Sequence, residues 1–203
     1  MQVAVLLYDR FTALDAIGPY EVFGQLPGVE LHFVALETGI IRSDTGALGV
    51  VIDRTVDQVQ PDIVVVPGGP GSMAAAALAG HQEWLRGVGE TATWLTSVCT
   101  GSELLAAAGL LQGCNATTHW TRTERLASLG AIPVSERVVR NGKIVTGAGV
   151  SAGIDMALQV VSWQFGEVVA QAIQLGIEYD PAPPFAYDQI PDVARQIVLS
   201  AMT

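Results

Sequence analysis

The chain predicts an α/β fold, a mostly parallel sheet sandwiched by helices, and three observations carry that expectation. Short apolar runs such as Val3-Ala4-Val5-Leu6-Leu7-Tyr8 and Ile63-Val64-Val65-Val66 are too brief for helices and too uniformly apolar for a half-exposed sheet. Stretches of helical periodicity alternate with them along the whole length. Glycine and proline gather where runs stop, above all in Pro67-Gly68-Gly69-Pro70-Gly71. Ligand sites in such sheets lie beyond the carboxyl ends of the strands, so the residues that follow each run are the ones to watch.

Taken in order, the run 3–8 is the first strand, and a helix opens at Thr12-Ala13-Leu14-Asp15 and continues through Val22, Phe23 and Leu26, with Pro19 kinking it or starting its regular part. Leu31 to Leu36 is a second strand, and 40–58 holds short irregular β pieces turning at Ser43-Asp44-Thr45-Gly46. Residues 62–66 form a buried strand. Helical residues from about 72 to 92 divide near Gly80. Trp94 to Val98 is a strand leading into a helix that begins Glu103-Leu104-Leu105. Ala116-Thr117-Thr118 is a short strand, followed by a helix from Thr121 to Leu129 that Gly130 ends. Asn141-Gly142 between two β-branched runs is a hairpin signal. Two further helices cover about 150–165 and 169–177, a stiff Asp180-Pro181-Ala182-Pro183-Pro184 segment follows, and a last helix spans 191–201. All 203 residues are expected to form one domain.

Half the residues are hydrophobic and 15% are charged, a balance that fits a globular core and not disorder. A formal charge of −10 opposes nucleic acid and anionic membranes as partners. The apolar residues 2–8 have no basic residue before them and end at Asp9-Arg10, unlike a signal peptide. The stretch 63–79 is broken by prolines and glycines, so it does not span a membrane. Cytoplasmic residence is the default expectation. The two cysteines show neither disulfide nor zinc spacing, and no metal or cofactor is expected.

The residues with chemistry centre on Ser97-Val98-Cys99-Thr100-Gly101-Ser102. A thiol at a sharp strand-to-helix turn is the cysteine form of a nucleophile elbow. Unpaired N–H groups and the positive end of the helix are expected to favour its thiolate. A buried cysteine acting only as a small hydrophobe is the competing expectation, and it suffices for Cys114, which lies in a loop. A nucleophile needs a proton carrier and donors for developing charge. Asp15 is the candidate carrier, although Thr12-x-x-Asp15 also resembles a helix capping box. Gly69 and Thr100 are candidate backbone donors, while Gly68-Gly69 also serves the turn. His119 is the rival base, or a histidine bonded to backbone at a strand end. Gly147-Ala148-Gly149, before a helix, is a place where an anion could be cradled.

The segments Ser97 to Ser102, Ala108-Gly109-Leu110-Leu111, Thr117-Thr118-His119-Trp120 and Pro67-Gly68-Gly69 resemble the ThiJ/PfpI superfamily, which has a flavodoxin-like, class I glutamine amidotransferase-like fold. Leu14-Asp15-x-x-Gly18-Pro19, the stretch 130–140 and the stretch 178–185 are similar to its isocyanide hydratase (isonitrile hydratase) subgroup. The resemblance implies a lyase that hydrates an organic isocyanide to an N-substituted formamide, with Cys99 as nucleophile, Asp15 as acid/base and Thr100 in the active site. It also implies a homodimer, a small-molecule substrate bound near Gly69 and His119, and no cofactor. Superfamily peptidases, glyoxalases and deglycases place a histidine beside the nucleophile, where this chain has Thr100. Regulators of the AraC type share the same segments but append a helix-turn-helix module that is not expected within 203 residues. Their sensor domains supply the non-enzymatic alternative.

Overall fold

The computed structural model describes residues 1–201, so the last two residues of the expected domain lie outside it. In chain order the elements are β1 (Gln2–Leu6), α1 (Ala13–Gly24), β2 (Glu30–Ala35), β3 (Gly39–Arg42), β4 (Gly49–Ile52), β5 (Arg54–Thr55) and β6 (Ile63–Val66). Then come α2 (Ser72–Ala77), α3 (Ala79–Thr91), β7 (Trp94–Val98), α4 (Gly101–Ala107), β8 (Asn115–Ala116), α5 (Thr123–Ser128) and β9 (Ile132–Pro133). β10 (Val138–Asn141), β11 (Ile144–Gly147), α6 (Ala152–Phe165), α7 (Glu167–Gly176) and α8 (Asp192–Ala201) complete the chain.

Seven strands form one sheet in the order β10-β11-β7-β6-β1-β2-β5. Every neighbouring pair is parallel except the β10–β11 hairpin. Helices α1, α6 and α7 contact one another, α2 to α5 do likewise, and both groups pack on β6 or β7, so they cover opposite faces. This explains why β6 and β7 are apolar or small at every position and buried throughout. Parallel pairing also brings the carboxyl ends of β1, β6, β7 and β11 side by side.

At the crossing of α1, α6 and β7 the backbones come unusually close. A Cβ added to Gly153 would lie 3.1 Å from Val98 Cγ2 and 3.2 Å from Pro19 Cδ. Pro19 stands inside α1 rather than at its start, buried in this contact.

Three local expectations need correction. The helical stretch after β6 divides at Leu78, which is extended with ψ 122°, and not at Gly80. His81 Nδ1 and Gln82 Nε2 donate to the Ala75 and Ala76 carbonyls at 2.9 and 2.8 Å, satisfying the end of α2 with side chains of α3. Thr117 and Thr118 are not in a strand. β8 ends at Ala116 and pairs only with β9, while Thr117 N–H donates to Thr146 Oγ1 at 2.9 Å. The hairpin loop is Gly142-Lys143, since Asn141 pairs with Ile144, and only Gly142 takes a positive φ, 61°.

Candidate active site

Cys99 is the first residue beyond β7, and its φ of 55° is one that few non-glycine residues adopt. Such a conformation persists only when its surroundings over-determine it. Here the Cys99 N–H donates to the carbonyls of Gly147 and Ala148 at 3.1 and 2.8 Å, continuing the pairing with β11. Its carbonyl accepts Ser102 Oγ at 3.1 Å and Thr118 Oγ1 at 3.0 Å. The turn is therefore pinned on both sides, as expected of an elbow. Gly68 must lack a side chain for this, because a Cβ there would lie 2.6 Å from Thr100 Oγ1 and 2.9 Å from Cys99 Cβ.

Asp15 meets the sulfur from α1. Thr12 is the N-cap of that helix, but its hydroxyl donates to Asp44 Oδ2 at 3.2 Å and makes no cap bond. The Thr12 N–H, which Asp15 would accept in a capping box, donates instead to the Gly68 carbonyl at 2.8 Å, so the Asp15 carboxyl is free of that role. Its Oδ2 accepts the Gly68 N–H at 2.9 Å, and the Cys99 thiol lies close enough to lower its pKa. No donor meets Oδ1 with hydrogen-bond geometry, although that oxygen is buried. Burial outweighs the Gly68 and Cys99 bonds and raises the carboxyl from an ordinary 3.8 to about 7.

The expected thiolate is not what this site favours at rest. Burial, and then the negative charge of Asp15, push the Cys99 thiol up to about 12. The N–H groups of Thr100 and Val150 and the Thr100 hydroxyl lie near enough to the sulfur to lower the thiol's pKa, but they offset only part of that penalty. The expectation counted the donors and omitted the desolvation, which depends on burial and cannot be read from a turn. What the arrangement offers instead is a thiol beside a carboxyl that is half ionised near neutrality and able to take its proton as sulfur attacks.

Gly69 and Thr100 are brought together. The Gly69 N–H donates to Thr100 Oγ1 at 2.9 Å, so in this state it is not directed at a ligand. The Thr100 hydroxyl has a single proton. Its bond to the Gly69 carbonyl is long, 3.3 Å, which leaves the hydroxyl free to turn towards a charged sulfur. Val150 was missed as a donor, and the only hint of it was the Gly147-Ala148-Gly149 turn just before it.

His119 does not bond Cys99. Its Nδ1 accepts the Thr121 N–H at 3.4 Å and lies 2.8 Å from Thr121 Oγ1, and burial followed by the charge of Arg122 lowers its pKa. It lines the cavity above the sulfur, as do Arg10, Thr12, Asp44, Met73 and Arg122, which the sequence did not single out. That cavity is about 520 Å³, within the usual size for small-molecule sites. Arg122 is held by a bidentate pair with Glu103, which is buried in the first turn of α4 (2.8 and 3.2 Å). Cys114 is a free, half-buried thiol packed against the hydrophobic core and does not line the cavity above Cys99. Among the described residues no cluster of His, Cys, Asp and Glu could hold a metal ion, and no helix is long and apolar enough to cross a membrane.

Known proteins resemble this chain along nearly its full length. Isonitrile hydratase of Pseudomonas putida is 42% identical over 199 residues, covering 98% of this chain and 87% of that one. The crystal structure of a ThiJ/PfpI family protein from Pseudomonas syringae superposes with a TM-score of 0.93 at 38% identity, covering 98% of this chain and 85% of the other. The HTH-type transcriptional regulator GbdR of Pseudomonas aeruginosa is 31% identical over 186 residues, which are 84% of this chain but 48% of the regulator. The DJ-1/PfpI family pattern matches residues 1–163. With that match, and with a parallel sheet that delivers a cysteine elbow to the ends of its strands, the chain belongs to the DJ-1/PfpI family.

Proposed function

We propose that the protein hydrates organic isocyanides to N-substituted formamides. The observation that carries this reading is the pairing of Cys99 with Asp15, whose second oxygen is buried and unpartnered. The likeness to an isonitrile hydratase along 98% of the chain supports it. The carboxylate of Asp15 takes the thiol proton as Sγ bonds the terminal carbon of R–N≡C, and returns that proton to the same carbon. The product is the thioimidate R–N=CH–S–Cys99. Water then adds to this carbon, with Asp15 taking a proton from the water and delivering it to nitrogen. The C–S bond breaks as the new hydroxyl loses its proton, Sγ recovers a proton through Asp15, and R–NH–CHO leaves. One carboxyl serves each transfer, which calls for a pKa near the working pH, and about 7 meets that need. The N–H groups of Thr100 and Val150 would hold charge on sulfur as it attacks and departs.

The test is conversion of a simple alkyl isocyanide to its formamide by the purified protein, together with electrospray detection of a thioimidate adduct. Cys99→Ala should abolish both, and full turnover by that variant would end the covalent reading. The likeness to GbdR makes ligand sensing the competing function. That reading gains if no isocyanide reacts while a small molecule raises Tm. The homodimer implied by the family resemblance belongs to the same proposal, and light scattering that returned a monomer mass would remove it.

A further inference from the structure

A second cavity, of about 710 Å³, adjoins the one that holds Cys99, and His119 and Val150 line both. The two spaces differ in chemistry. Above the sulfur, Arg10 and Asp44 bring charge to the wall beside the Arg122–Glu103 pair, and hydrocarbon placed there would strip water from those groups. The second cavity is bounded by Trp120, Val134 and Tyr187, and both of its aromatic rings are accessible, at 36% and 66% exposure. The Trp120 ring also lies against His119, with centroids 5.8 Å apart, so an aromatic surface begins at the shared wall and continues outwards. Of the charged residues there, Arg137 is occupied by Asp155 at 2.6 Å and by Ser151 at 3.2 Å. The Glu136 carboxylate makes no hydrogen bond or ion pair among the described residues.

We infer that this second cavity is the subsite for the N-substituent of the substrate, and that it selects isocyanides carrying an aryl or arylalkyl group. The inference rests on the isocyanide reading and deepens it. An isocyanide is linear from its substituent through nitrogen to the terminal carbon, so a molecule whose carbon touches Sγ must project its substituent away from Cys99. The route past Val150 and His119 leads to the faces of Trp120 and Tyr187, where an aromatic ring gains stacking as well as burial. The Arg195 guanidinium stands 5.8 Å from the Tyr187 ring centroid, so the subsite carries charge of both signs, Glu136 and Arg195, and its selection rests on the aromatic surface.

The experiment compares kcat/KM for methyl and benzyl isocyanide. Wild-type protein should prefer benzyl to methyl by about tenfold or more, a ratio equivalent to one good aromatic contact with its burial. Trp120→Ala and Tyr187→Ala should each lower that ratio several-fold, mainly through KM. If neither variant moves the ratio, or if Met73→Ala across the catalytic cavity lowers it instead, the subsite is wrongly placed. Calorimetric binding of N-benzylformamide against N-methylformamide needs no turnover. Tighter binding of the benzyl compound that is lost in Trp120→Ala supports the subsite even if no isocyanide reacts. Turnover of methyl isocyanide without any benzyl preference leaves the reaction standing and removes the subsite.

Discussion

Replacing Asp15 with asparagine should make the protein more stable and less active, and the stability gain should grow with pH. The carboxyl is fully buried, and its folded-state pKa is raised from 3.8 to about 7. Below the unfolded value both states hold the proton and Asp15 imposes no penalty. Between the two values the folded state keeps a proton that the unfolded chain has released, so stability falls as pH rises, and the loss is complete above the folded pKa. At roughly 1.4 kcal/mol for each pKa unit, the cost near pH 8 approaches about 4 kcal/mol, an upper figure because a buried carboxylate draws in whatever dipoles and water it can. Asparagine keeps the shape and an acceptor for the Gly68 N–H but never ionises. Urea unfolding of both proteins near pH 4.5 and near pH 8 isolates the effect, since every other titrating group is common to the pair. The difference should widen in favour of Asp15→Asn by about 2–4 kcal/mol, with each kcal/mol worth about 2–4 °C in Tm for a chain of this length. Turnover of an isocyanide should meanwhile be lost. A difference that is the same at both pH values would refute the reasoning, as would a variant less stable than wild type near pH 8.

Three more outcomes follow from the same geometry. In the proposed mechanism the working form pairs a Cys99 thiol with an Asp15 carboxylate, so kcat/KM should rise about tenfold per pH unit below pH 7 and then level off, and a decline between about pH 7 and 9 would contradict the proposed proton flow. Gly68→Ala drives a methyl group into Thr100 and Cys99, so turnover should fall by about a hundredfold or more while circular dichroism still reports a folded chain; unaltered kinetics would show that the elbow tolerates displacement. Arg122→Leu strands the buried Glu103 carboxylate and should cost about 3 kcal/mol in chemical denaturation, most of it recovered when Glu103→Leu is added; purely additive losses would show that the pair is not coupled.

The sequence by itself determined the layered fold and singled out Cys99 and Asp15 as the residues proposed to react, with His119 left as the rival base. Short runs of apolar or small residues are buried as the central strands, Cys99 follows β7 and Asp15 stands in the helix after β1, so parallel pairing brings both to the same edge. Local signals failed where side chains outside an element took over its backbone's needs: Gln82 of the next helix closes the end of α2, and Thr146 engages Thr117 in place of a strand partner. Tertiary structure alone decided the protonation of the site. A turn's donors are visible in sequence, but the depth at which Cys99 and Asp15 are buried is not, and desolvation proved stronger than the helix start and the N–H groups of Thr100 and Val150. It also decided that the Thr12 N–H donates to the Gly68 carbonyl and so leaves Asp15 to face the sulfur, because the turn after β6 supplies the partner.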